Sequence, residues 1–174
     1  MTQVSNPQDN DLPVFISHKH ADRKIADKVS SFLTRHSGAR VKVHQSSSTW
    51  ADAPKVGRNL NKQLKEILWH TSVVILIYTD PEHDWSYCMW ECGVALQPQT
   101  PDTKIILFQC AGRSPTLFAE QVNVDVRSEA DIQRFTNEFL TAEDFFPGVG
   151  HRMTKFQPNG QEVIRAATLA NILR

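Results

Sequence analysis

Residues 72–78 read Ser-Val-Val-Ile-Leu-Ile-Tyr, β-branched and apolar without alternation. A strand of that kind needs cover on both faces, the condition of a central strand in a parallel sheet. Working outward from it, strands and helices take turns. Upstream, Val14–Ser17 is a short β-type run entered through Pro13, and Val41–His44 is a second. Downstream, Lys104–Phe108 is another buried run and Gln121–Val124 a short one. Between them the apolar positions take helical spacing. They fall at Ile25, Ala26, Val29, Phe32 and Leu33, with Gly38 as a stop, and then at Val56, Leu60, Leu64, Ile67 and Leu68. A third helix runs Trp85–Leu96 and ends near Pro98. A fourth runs from Ser128 to about Thr141, with Ser128 as N-cap and Asp131 at N3.

Strand and helix alternate about five times over Pro13–Thr141, which means α/β with a parallel sheet. The fourth connection, carrying Gly112 and Pro115, is short enough to be a loop. Five strands in this length fit a flavodoxin-like doubly wound sheet of order 2-1-3-4-5 with helices on both faces.

The chain has 174 residues, one domain's worth, with 40% apolar and 22% charged residues, as in a globular protein. Lys plus Arg is 19 and Asp plus Glu is 19, so the formal charge is zero. That speaks against a dedicated nucleic-acid binder. The longest apolar run, Val73–Tyr78, is too short for a membrane span. Cys88, Cys92 and Cys110 have no framework spacing and read as reduced cytoplasmic thiols. Residues 1–12 form a polar lead-in and residues 13–141 the domain. In residues 142–174, Phe145-Phe146-Pro147-Gly148 reads as a turn. Asn159–Glu162 then opens a helix with the stripe Val163, Ala166, Ala167, Ala170 and Leu173. That helix is expected either to dock on its own domain or to begin a sensor domain.

In an open α/β sheet, ligands bind outside the carboxyl ends of the strands, where the winding reverses. Here that point lies between the first and third strands. The flanking loops are Ser17–Ala21, with Ser17, His18, Lys19 and His20, and Thr79–Trp85. The second loop feeds the helix that carries Glu91. With Trp85, Cys88, Met89, Cys92, Ala95 and Leu96 as its apolar stripe, Glu91 falls on the flank, on the same side as Tyr87. A carboxylate beside an aromatic at a cleft suits sugar hydroxyls and a positively charged anomeric carbon. On geometry alone a solvated helix carboxylate is the commoner case.

Val14-Phe15-Ile16-Ser17-His18 resembles the first strand of TIR domains, often Phe-Ile-Ser-Tyr or Phe-Ile-Ser-His. Asp22 stands where many members open their first helix with an acidic residue. Tyr87-Cys88-Met89-Trp90-Glu91 resembles the family's aromatic-Cys-x-x-Glu stretch, and Gln45–Gly57 its long loop after the second strand. Some TIR domains are scaffolds that signal by self-association. Others, common in bacterial antiphage defence, cleave NAD⁺ between nicotinamide and ribose. The resemblance implies the second kind, with Glu91 as catalytic residue, Tyr87 as the aromatic before it, and Ser17, His18, Lys19, Trp50 and Lys55 as substrate contacts. It also implies NAD⁺ as substrate with no separate cofactor, and head-to-tail self-association that completes the pocket. A sensor module, fused or separate, would supply the trigger. The loop departs from the family pattern. It reads Ser46-Ser47-Ser48-Thr49-Trp50, then Pro54-Lys55-Val56-Gly57, without the usual acidic residue and Pro-Gly or Ala-Gly pair.

Competing readings attach to several residues. Cys88 and Cys92 are one turn apart near His83, but both lie on an apolar stripe, where core thiols are commoner than zinc ligands. His18 and His20 lack a third ligand nearby and read as pocket or surface residues. Trp50 is either a loop anchor or a substrate contact. Trp69 is expected in the core, and Trp90, placed away from both the stripe and Tyr87, on a packing or assembly surface. Arg58 and Lys62 read as solvated. A non-enzymatic scaffold remains the alternative function, with a nucleoside deoxyribosyltransferase-like enzyme third for want of a second acid.

Overall fold

The computed structural model describes residues 11–45, 60–97, 103–111, 122–141 and 161–174. Five strands form one sheet: β1 (Leu12–Ser17), β2 (Val41–Gln45), β3 (Val73–Tyr78), β4 (Lys104–Gln109) and β5 (Val122–Asp125). The helices are α1 (Arg23–His36), α2 (Leu60–Trp69), α3 (Ser86–Ala95), α4 (Glu129–Thr141) and α5 (Gln161–Leu173), and a 3₁₀ turn, His20–Asp22, leads into α1. The strand order is β2-β1-β3-β4-β5 and every pairing is parallel. This is the doubly wound order expected from the alternation.

All six residues of β3 are buried, as an unbroken apolar run requires. Successive side chains of a strand point to opposite faces, so β3 feeds two cores. Val73, Ile75 and Ile77 pack with Val14 and Ile16 against Ala26, Val29 and Leu33 of α1 and Ile132 and Phe135 of α4. Val74, Leu76 and Tyr78 pack with Phe15 against Leu64 and Leu68 of α2 and Cys88, Cys92 and Ala95 of α3. The helices after β1 and β3 therefore lie on opposite faces, and β1 and β3 are hydrogen-bonded neighbours. Ser17 is two residues beyond Phe15 and pairs with Leu76, so it turns toward α3 at the carboxyl end of β1.

Several boundaries moved. β1 begins at Leu12, whose side chain is buried in the core, so the lead-in shares its last residue with the sheet. Pro13 sits within this strand and its carbonyl accepts the Ser72 amide at 3.0 Å. Ser128 does cap α4: its hydroxyl accepts the Asp131 amide at 3.2 Å. Trp69 is 37% exposed rather than core, because Leu64 and Leu68 take the inward face of α2 and the next residue turns away. The start of α2 near Val56, the Gly112–Pro115 loop, the turn at Phe145 and the cap at Asn159 lie outside the described residues.

Helix α5 packs against α4 and α1. Ala166, Leu169, Ala170 and Leu173 are buried in the α1–α4 core, whereas Ala167 is exposed. The inward stripe thus runs through Leu169, which the sequence reading had passed over. No helix among the described residues is long and apolar enough to cross a membrane.

Leu169 is fully buried in this seam and Ile164 is largely exposed on the same helix. Leu169→Ala is expected to cost about 2–5 kcal/mol in urea denaturation, from lost burial plus the cavity left behind. Ile164→Ala should stay within about 0.5 kcal/mol of the parent.

Candidate functional site

Glu91 does not sit on the flank of α3. Its relative exposure is 0%, and with Cys88, Cys92 and Ala95 it completes the inward stripe. The spacing of those four positions is i, i+3, i+4, i+7. The sequence reading had counted Met89 and Leu96 in the stripe. Met89 is only partly buried and Leu96 is exposed, so the true inward face is rotated toward Glu91. Apolar residues surround this helix on most sides, and periodicity alone therefore could not fix its orientation.

The carboxyl group meets the end of β1. The Ser17 hydroxyl donates to Glu91 Oε2 at 2.5 Å, and Ser17 is itself fully buried. Glu91 Oε1 is buried with no hydrogen-bond partner among the described residues. An acid removed from water with one hydroxyl for company favours its neutral form. Burial accordingly pushes the Glu91 carboxyl up to about 8, and the Ser17 hydrogen bond opposes the shift. Burial also pushes the Cys88 thiol up to about 11, and it raises Cys92 with a further contribution from Glu91. Neither thiol is a ready nucleophile.

The loops that flank the site are tied together. Lys19 reaches across from the β1 side: its ammonium donates to the Asp84 carbonyl and stands 5.8 Å from the centre of the Trp85 ring. Thr79 donates to the Asp22 carboxylate at 2.8 Å. The carboxylate of Asp22 is thus spent across the crevice and makes no cap for α1. Trp85 is buried, donates its indole N–H to the Asp80 carbonyl at 2.7 Å and packs on Tyr78 with centroids 4.7 Å apart. Asp84 accepts both the amide and the hydroxyl of Ser86 and so steadies the first turn of α3.

Of the expected site residues, Ser17, His18, Lys19 and Glu91 gather at the carboxyl end of β1. His18 is buried and its Nδ1 lies 2.8 Å from the Lys19 carbonyl, which can only accept, so this nitrogen carries the proton. His20 is exposed, whereas His18 is buried. Among the described residues no three His, Cys, Asp or Glu side chains are grouped as a metal would need. Tyr87 is 48% exposed while Glu91 is buried, yet the Glu91 charge helps raise its hydroxyl pKa, after burial as the larger cause. Tyr87 pairs with Trp90, ring centroids 5.5 Å apart, so Trp90 is not remote from it as expected: the two are one turn apart. Trp50, Lys55 and the rest of their loop, residues 46–59, lie outside the described residues. The Asp22–Thr79 contact between the two loops has no counterpart in the sequence reading. Asp22 had been noted only as a helix-opening acid, and nothing local in sequence signals a contact across two loops.

Two surface concavities lie away from Glu91. One, of about 300 Å³, is lined by Phe32, His36 and Ile172; the other, of about 400 Å³, by His44, Glu66 and His70.

A family model described as TIR domain matches residues 14–140. A comparison with curated proteins finds no match.

The folded chain holds the Glu91 proton up to about pH 8, whereas the unfolded chain releases it near 4.5. Between those values the folded state binds more protons, so stability falls as pH rises through the window. A displacement of this size costs the fold about 3 kcal/mol by pH 7. Glu91→Gln lacks this titration. Urea denaturation at pH 5, 7 and 9 is expected to show the parent losing stability relative to Glu91→Gln by that order. Parallel pH curves for the two proteins would refute the buried neutral acid.

Proposed function

The chain belongs to the TIR domain family, and we propose that it cleaves the nicotinamide–ribose bond of NAD⁺, with Glu91 as the catalytic carboxylate. The observation that carries this reading is a carboxyl group buried at the switch point of the sheet with one oxygen unpartnered. A buried acid without a cationic partner weakens a fold, and such groups concentrate where chemistry is done. The position is also that of the family's aromatic-Cys-x-x-Glu carboxylate.

The chemistry suits one carboxylate. The nicotinamide ring, a pyridinium while bonded, leaves the anomeric carbon as a neutral molecule and takes the C–N bonding electrons with it, so no general acid is needed. The ribose is left with oxocarbenium character. A carboxylate beside it stabilises that charge and orients the ribose hydroxyls. Water then adds at the anomeric carbon and sheds a proton to give ADP-ribose, or a nucleophile in the adenine moiety closes a ring to give a cyclic form of ADP-ribose that is one water smaller. This route calls on no metal or separate cofactor. Glu91 must be anionic to serve, and a positive charge brought next to a carboxyl lowers its pKa. Bound NAD⁺ would thus promote the ionisation its own cleavage requires.

Substrate can reach Glu91 only when the crevice parts, because the side chain has no exposure. In this reading the ties between the flanking loops, Lys19 to Asp84 and Asp22 to Thr79, yield. Once freed, Lys19 and His18 become available to the substrate. We assign the opening to self-assembly in which one copy completes the next copy's pocket. A head-to-tail contact of this kind is heterologous and grows into filaments. Activity switched on by assembly, on a signal from a sensor module, fits a cytoplasmic role in antiviral defence. The closed crevice also favours a second reading, a scaffold that assembles without catalysis through surfaces such as the Tyr87–Trp90 pair.

Nicotinamide release at high protein concentration, followed alongside light scattering, separates the two. The glycohydrolase reading predicts release by the assembled parent and a loss of at least about a hundredfold in Glu91→Gln. An assembled parent that releases none points to the scaffold.

A further inference from the structure

Glu91 is held at one oxygen only. Ser17 meets Oε2 at 2.5 Å, and Oε1 is buried with its acceptor capacity unused. Ser17 is fully buried and its hydroxyl is committed to Glu91. Its backbone is fixed by pairing with Leu76 in the middle of the sheet. It therefore offers a hydroxyl from a rigid element to a long side chain on a helix. Support of that kind limits the rotamers available to a functional carboxylate.

We propose that Ser17 is the positioning residue of the site: it anchors Oε2 of Glu91 and leaves Oε1 as the oxygen that meets the ribose. This rests on the NAD⁺ reading of Glu91. A hydrogen bond donated to a carboxylate favours its charged form. Ser17 thus also helps Glu91 to ionise, and no other group hydrogen-bonds its oxygens among the described residues.

The surroundings leave few competitors for that role. On α3 the titratable neighbours are Tyr87, Cys88 and Cys92, all with raised pKa values. From β3 comes Tyr78, raised chiefly by burial. From the loop after β1 come Lys19 and Asp22, whose charges act on Cys88 and whose side chains are engaged with Asp84 and Thr79. His18, at the end of β1, faces the Lys19 carbonyl. From α2 the residues packed into this core are uncharged, Leu64 and Leu68 among them.

The test is steady-state cleavage of NAD⁺ by the full chain under assembling conditions, over pH 5–9, for the parent and Ser17→Ala. A positioning role predicts KM within about twofold of the parent and kcat lower by about tenfold or more at pH 7. The acid limb of the kcat profile should move to higher pH, so part of the loss returns by pH 9. Ser17→Cys, close in size and a weaker donor, is expected to fall between the two, and it carries the same test if Ser17→Ala does not fold. A raised KM with an unmoved acid limb would make Ser17 a substrate contact, and unchanged kinetics would give it no role. Either result overturns this inference while leaving Glu91 in place. A parent without activity removes the NAD⁺ reading itself, and this inference with it.

Discussion

β1 and β3 are hydrogen-bonded neighbours, yet the helices that follow them leave to opposite faces of the sheet. From that constraint the rest of the site follows. The two outgoing loops diverge, and the end of β1 is left facing the helix that follows β3. A side chain that turns toward that helix from the last residue of β1 must meet its inward stripe. In this chain the meeting is between Ser17 and Glu91. The fold therefore does more than carry the site. It brings a hydroxyl and a carboxyl, far apart in sequence, to a fixed distance inside a buried core.

The same arrangement sets function against stability. A glutamate in the stripe of α3 takes a place where Cys88, Cys92 and Ala95 show that an apolar residue would fit. Keeping the carboxyl there costs the fold increasingly as pH rises, and among the described residues no ion pair offsets it. Proteins tolerate such a penalty mainly where a destabilised group is useful. The ties between the flanking loops, Lys19 to Asp84 and Asp22 to Thr79, lie at the same end of the sheet. A carboxyl both buried and neutral is quiet. Cleavage under the proposed mechanism requires the crevice to open and the proton to leave, and both steps can be coupled to assembly and to a cationic substrate.

Much of the fold was legible in the sequence because burial on both faces leaves a plain signature. The run at residues 73–78 could only be a central strand, and its alternation with helical stripes set the strand order. The orientation of α3 was harder. Met89 and Leu96 looked as much like core as Cys88 and Ala95 did, so the inward face was drawn to one side of Glu91. A glutamate within an apolar stripe runs against the rule by which stripes are found. Family resemblance singled out Glu91, and periodicity misjudged its surroundings. Contacts across the crevice, and the role of Leu169 in seating α5, depend on tertiary packing that local pattern does not encode. The loop bearing Trp50 and Lys55 lies outside the described residues.

The most direct measurement is a carbon-13 titration of the Glu91 carboxyl by NMR in the unassembled chain. A group buried beneath Ser17 should stay protonated through neutral pH, with a midpoint near 8. A midpoint near 4.5, the ordinary value for this side chain, would mean that Glu91 is solvated, and would contradict the account.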